Sequence, residues 1–141
     1  MSPARVTPAP APAGLAAPVG HYSHATIGGG LIFVSGLLAL DRAGALVGAG
    51  DAGVQAAFIF ETLDVILAAA GAGLADVAKL SLYLVDLADR GAVNAARREA
   101  FGAVKPASTL VQVAGLIGEG TLVEIEAIAV LPSEPPRGKD A

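Results

Sequence analysis

The clearest alternation in the chain runs from Leu122 to Val130, where Val123, Ile125 and Ala127 fall on one side of a two-residue period and Glu124 and Glu126 on the other. That period is a strand's, so the stretch is predicted to be a β-strand carrying two carboxylates on one face. Leu31–Ser35, preceded by Gly28-Gly29-Gly30, and Leu37–Leu40, leading into Asp41-Arg42-Ala43-Gly44, predict a strand pair joined by a hairpin. The period then changes. Ala56, Ile59, Leu63, Ile66 and Ala70 recur at steps of three and four, the stripe of a helix that Asp51 can cap and Gly71 can stop. Ala78–Val85 predicts another strand. A helix follows from about Asp89 to Phe101, with Asn94, Arg97 and Arg98 on its polar face, and Pro106 ends the segment. Thr109–Val113 and the alternating stretch complete a ββαβαββ order, an α+β layer structure with the helices on one face of a sheet.

Composition separates this domain from its ends. Residues 1–17 are almost entirely Pro, Ala, Ser and Gly and are expected to form an extended, mobile arm, because such side chains bury too little surface to offset the entropy of ordering. The tail, 132–141, reads the same way, leaving 18–131 as the folded domain. Apolar residues make up 54% of the 141, before 18 glycines are added, against roughly 45–50% with glycine in an ordinary domain. No window is expected to span a membrane: the best, Val65–Ala75, is short and bracketed by Glu61, Asp64 and Asp76. No secretory signal is evident at the Pro-punctuated start, so a soluble, cytoplasmic protein is expected.

The absence of cysteine excludes disulfides, a thiolate nucleophile and zinc-thiolate clusters. A net charge of −4 with nine Lys and Arg argues against nucleic acid as a partner, which requires clustered cations. Two chemistries remain open for Glu124 and Glu126. Either their face meets solvent, as half-exposed strands usually do, or one carboxylate lies in a cleft where desolvation raises its pKa for general acid or base work. His21-Tyr22-Ser23-His24 precedes the first strand; with no third ligand nearby it reads as a loop presenting Tyr or His to a substrate rather than as a metal site. Ser108-Thr109 lacks a nucleophile elbow and reads as hydrogen-bonding hydroxyls. The three glycines open no helix and read as a turn, not a phosphate loop.

Gly20-His21-Tyr22-Ser23-His24-Ala25, Phe33-Val34-Ser35-Gly36, Val93-Asn94, Lys105 to Val113 and Val123 to Val130 follow one another in the order seen in the Rid (YjgF/RidA, endoribonuclease L-PSP) family, which this sequence resembles from about Val19 to Leu131. The resemblance implies a chorismate-mutase-like (bacillus type) α+β fold. It also implies a homotrimer with a barrel-like interior and three small-molecule clefts between subunits. In the deaminase branch these clefts hydrolyse reactive imines and enamines without cofactor or metal. Carried over by residue, the resemblance makes Glu124 the carboxylate that assists water attack and Tyr22 the loop phenol, with Leu110, Gly36 and Asn94 lining or supporting the cleft.

One part does not carry over. The family's carboxylate-binding Arg directly follows Pro-Ala, and here that position is Ser108, which cannot offer a bidentate fork. His21 and Gln112 also stand where Pro and an acidic residue are common. The expectation is an imine- or enamine-converting, deaminase-like enzyme whose substrate is not a typical 2-imino acid, with Ser108 and His24 or His21 hydrogen-bonding it. The alternative is a non-catalytic trimer that kept the cleft and lost the chemistry.

Overall fold

A computed structural model describes residues 4–133. Six strands, β1 (Thr7–Pro8), β2 (Ala25–Gly28), β3 (Leu31–Leu37), β4 (Val77–Leu84), β5 (Ala107–Gln112) and β6 (Val123–Val130), form one sheet in the order β1-β2-β3-β6-β4-β5. Two helices, α1 (Ala52–Ala69) and α2 (Arg90–Phe101), complete a mixed α+β domain. Strand β6 is central, antiparallel to both β3 and β4, while β5 runs parallel to β4. A parallel neighbour needs a crossover, and α2 lies within it.

The alternation in β6 sorts as its sequence predicts. Val123, Ile125, Ala127 and Ala129 are buried, whereas Glu124, Glu126 and Ile128 are only half-buried on the opposite face. Helix α1 covers the buried face, supplying Ala56, Ile59, Phe60, Leu63, Ile66 and Leu67 to the core. Asp51 caps it by accepting a hydrogen bond from the Val54 amide, and Gly71 takes the left-handed conformation at its end (φ 81°). Helix α2 packs beside α1, with Phe101 meeting Phe60 edge to face at 5.4 Å.

Three expectations change. The first hairpin lies one strand earlier: β2 and β3 are joined through Gly29 and Gly30, both at positive φ (60° and 78°), the arrangement of a two-residue hairpin turn. Asp41–Gly44 closes only a small loop bridged by Leu40 and Leu46, its carboxylate accepting from the Ala43 and Ala45 amides. The Pro/Ala-rich arm is not wholly apart from the sheet, since Thr7 and Pro8 pair with Ile27 and Thr26 at its edge. Helix α1, moreover, is long and apolar enough to cross a membrane by length and composition alone. Here its apolar stripe is the core face, and Gln55 is buried within that face. The predicted tail falls almost wholly outside the described residues.

Gln55 is fully used. Its Nε2 donates to the Gly48 and Gly120 carbonyls at 3.1 Å each, and its Oε1 accepts from the Leu122 amide at 2.9 Å. One side chain thereby ties the loop before α1 and the glycine-rich loop before β6 to the helix, and sets the start of the strand that carries Glu124. Gln55→Leu keeps the volume but strands these groups, so denaturant unfolding should show a loss of about 2–3 kcal/mol. A loss below about 0.5 kcal/mol, the size of an ordinary surface change, would show that the three bonds do not anchor the loops.

Candidate active site

Strand β3 is interrupted where it faces Glu124. Val34 pairs with Ala127 and Leu37 with Ile125, so three steps on β3 match two on β6, and the extra residue makes a bulge at Ser35-Gly36. The Glu124 carboxyl group lies over Gly36 so closely that a Cβ there would sit 2.7 Å from its Oε1. Only glycine leaves room for the carboxyl group in this position.

Tyr22 approaches the same place from the loop before β2. Ser35 Oγ donates to the Ser23 carbonyl at 2.6 Å, tying that loop to the bulge, and the Val19 amide donates to the Tyr22 hydroxyl at 3.3 Å. A hollow of about 260 Å³ results, lined by Tyr22, Ser35, Gly36, Glu124 and the exposed Ile117 among others. Burial raises the pKa of Glu124 above the ordinary carboxyl range, with repulsion from Glu126 adding to it. Glu126 instead accepts a 2.6 Å hydrogen bond from the Tyr83 hydroxyl, and this bond, with burial, holds the phenol above its ordinary value. The two carboxylates therefore have different surroundings, although the strand period places them alike.

A second cluster lies beside α2. Arg97 donates through Nη1 to Ser108 Oγ at 2.7 Å and through Nη2 to Asn94 Oδ1 at 3.0 Å. Arg90, Asn94, Arg97, Arg98, Ser108 and Leu110 line one open hollow of about 380 Å³.

Among known proteins, the family model described as Endoribonuclease L-PSP matches residues 14–131. The chain belongs to this family. A RutC family protein of Synechocystis is 40% identical over 119 residues, covering 83% of this chain and 91% of its own. The 3-aminoacrylate deaminase RutC of Acinetobacter baylyi is 38% identical over 118 residues, covering 84% and 93%. Of solved structures, RidA from an Antarctic Psychrobacter is 36% identical with a TM-score of 0.77, over 82% of this chain and 93% of that one. Yeast Mmf1 is 27% identical with a TM-score of 0.81, over 90% and 99%.

Within this Rid-family domain the expected site residues divide into two groups. Tyr22, Gly36 and Glu124 meet at the first hollow. Asn94, Ser108 and Leu110 meet at the second. The sheet separates them: Ser108 and Leu110 pair with the buried Leu80 and Leu82 and share their helix-side face, whereas Glu124 pairs with Tyr83 on the open face. His24 borders Tyr22 and Gly36, but its Nε2 donates to the Ala16 carbonyl at 2.9 Å and so latches the N-terminal arm. His21 is exposed and makes no hydrogen bond among the described residues. Gln112 accepts from the Leu87 amide at 2.9 Å and so holds the turn that leads into α2.

Ile117 and Ser35 also line the first hollow, and the sequence does not single out either as a site residue. Ile117 stands in a glycine-rich loop with no periodicity to mark it, and Ser35 reads only as part of a strand. Arg97 had a signal, its three-residue spacing from Asn94 on one helix face.

Two outcomes follow for Glu124. Since its folded-state pKa is raised, the native chain holds the proton more firmly than the unfolded chain, and wild-type stability falls as pH rises from the ordinary carboxyl value through the raised one. Glu124→Gln lacks this loss, so its melting temperature relative to wild type should climb as the pH rises above the ordinary carboxyl range; a difference independent of pH would contradict the desolvation. Gly36→Ala should push the carboxyl group aside and lower the Glu124 pKa, measurable by carboxyl-carbon NMR titration. An unchanged titration would mean that the close approach has no electrostatic effect.

Proposed function

We propose that this Rid-family protein is a cofactor-independent hydrolase of small imines or enamines, with Glu124 as the catalytic residue and Tyr22 orienting the reacting group. The supporting observation is the half-buried Glu124 carboxyl group with its raised pKa, facing a hollow that also holds a phenol. A carboxyl group with a raised pKa is a stronger base when ionised than an ordinary carboxylate, and its protonated form can return the proton. An enamine first takes a proton from the Glu124 carboxyl group at its β-carbon, becoming an iminium ion. Water then adds to the C=N carbon as Glu124 accepts a water proton, giving a carbinolamine. That proton passes from Glu124 to nitrogen, the C–N bond breaks as the hydroxyl gives its proton back to Glu124, and ammonia and a carbonyl compound leave. The relative named 3-aminoacrylate deaminase supports this class of chemistry.

The cleft is completed by a neighbouring copy in a homotrimer. Support comes from the opposite placement of Glu124 and Ser108 on the sheet, which one chain cannot bring together. Because Ser108 stands in the position of the family's Arg, a substrate is not held from β5 as a typical 2-imino acid would be. His24, through its bond to Ala16, positions the arm beside Tyr22.

Hydrolysis across a panel of imines with and without carboxylates tests the reading. Wild type should exceed the uncatalysed rate for at least one, and Glu124→Gln should lower kcat/KM by about a hundredfold or more. If both proteins match the uncatalysed rate throughout, the hydrolase reading fails and a non-catalytic ligand-binding trimer takes its place. Sedimentation equilibrium should give three chains per particle; a monomer at working concentration would refute the shared cleft.

A further inference from the structure

The Arg97 guanidinium occupies an unusual position for a surface arginine. Two of its five N–H groups are satisfied by the neutral oxygens of Ser108 and Asn94, while Nε is buried with no hydrogen-bond partner. Burial, reinforced by the nearby Arg90 charge, lowers its pKa. Among the described residues no carboxylate forms an ion pair with it. The hollow around it contains two further arginines, Arg90 and Arg98, and otherwise only Asn94, Ser108 and Leu110. Three cations share one open hollow with no anion among its described lining residues. A partly desolvated charge held in a fixed orientation is also a favourable donor to an arriving anion, because little ordering remains to be done.

Ser108 takes part in this arrangement. Its oxygen accepts the Arg97 Nη1–H, which leaves its own O–H available to donate. We infer that Arg97, carried by α2 and seated on Ser108 and Asn94, is the specificity-determining residue that binds a carboxylate group of the ligand. The planar fork matches a carboxylate in a way that a lysine ammonium does not. The positive charge thus reaches the subsite from the helix instead of from the residue after Pro106-Ala107. Carboxylate-bearing substrates are then accepted in a pose set by α2. The identity of the reacting imine or enamine end rests on the function proposed above; the anion subsite does not.

Titration calorimetry separates the two. The probes are 2-oxobutyrate, butan-2-one, which lacks the carboxylate, and inorganic phosphate, against wild type, Arg97→Lys and Arg97→Gln, each checked for fold by circular dichroism. We expect 2-oxobutyrate to bind wild type. Binding should weaken at least tenfold in Arg97→Gln and by less in Arg97→Lys, while butan-2-one binds none of them measurably. Unchanged 2-oxobutyrate affinity in a folded Arg97→Gln overturns the inference, as does phosphate binding tighter than 2-oxobutyrate, which would mark a general phosphate site. Arg97-dependent binding in a protein that hydrolyses no imine would keep the subsite and remove only the deaminase reading. Imine hydrolysis with no effect of Arg97 on binding would do the reverse.

Discussion

The two-residue period of β6 is the constraint from which the rest of the molecule follows. As the central strand it must present one continuous apolar row to the helices, and Val123, Ile125, Ala127 and Ala129 do so while hydrogen-bonding to strands on both sides. A shift of one residue would bury Glu124 and Glu126 in the core and expose the apolar row, at a cost no small domain could sustain. The register of the sheet, the seat of α1 and the emergence of both carboxylates on the open face are therefore a single decision. Gln55 reinforces it by holding the amide of Leu122, just before the strand begins.

Within that frame, chemistry comes from a local departure from regularity. The Ser35-Gly36 bulge provides the gap over which the Glu124 carboxyl group rests, and it also secures the Tyr22 loop through Ser35 Oγ. Glu126, two residues on and on the same face, meets a phenolic hydroxyl in place of a gap. Equal spacing along a strand thus yields one carboxyl group in a partly desolvated pocket and one in a paired, structural role. The division of the remaining polar residues across the sheet has a similar origin: the parallel register of β5 against β4 directs Ser108 and Leu110 toward the helices, where α2 brings Arg97 to them.

Much of the architecture was legible in the residues. The helical stripe from Ala56 to Ile66, its Asp51 cap and Gly71 stop, and the alternating last strand all appear where their periods place them, because local propensity and burial agree there. The sequence places the first hairpin one strand late because Gly36 reads as a break between strands, whereas it forms a bulge within one. The pairing of Thr7 and Pro8 had no local signal either, since an edge strand that short depends on an existing neighbour for its hydrogen bonds.

For the site, the sequence by itself determined which residue types were available and that Glu124 and Glu126 share a face, since strand geometry alone requires this. It also determined that position 108 carries no cation. Tertiary structure alone decided that the Glu124 carboxyl group is the one set over Gly36, that His24 holds the arm, and that a guanidinium nevertheless stands at Ser108, supplied by Arg97 from a helix eleven positions earlier. The physical reason is that desolvation and hydrogen-bond partnership depend on what lies across space from a side chain, and neither period nor spacing along the chain specifies that.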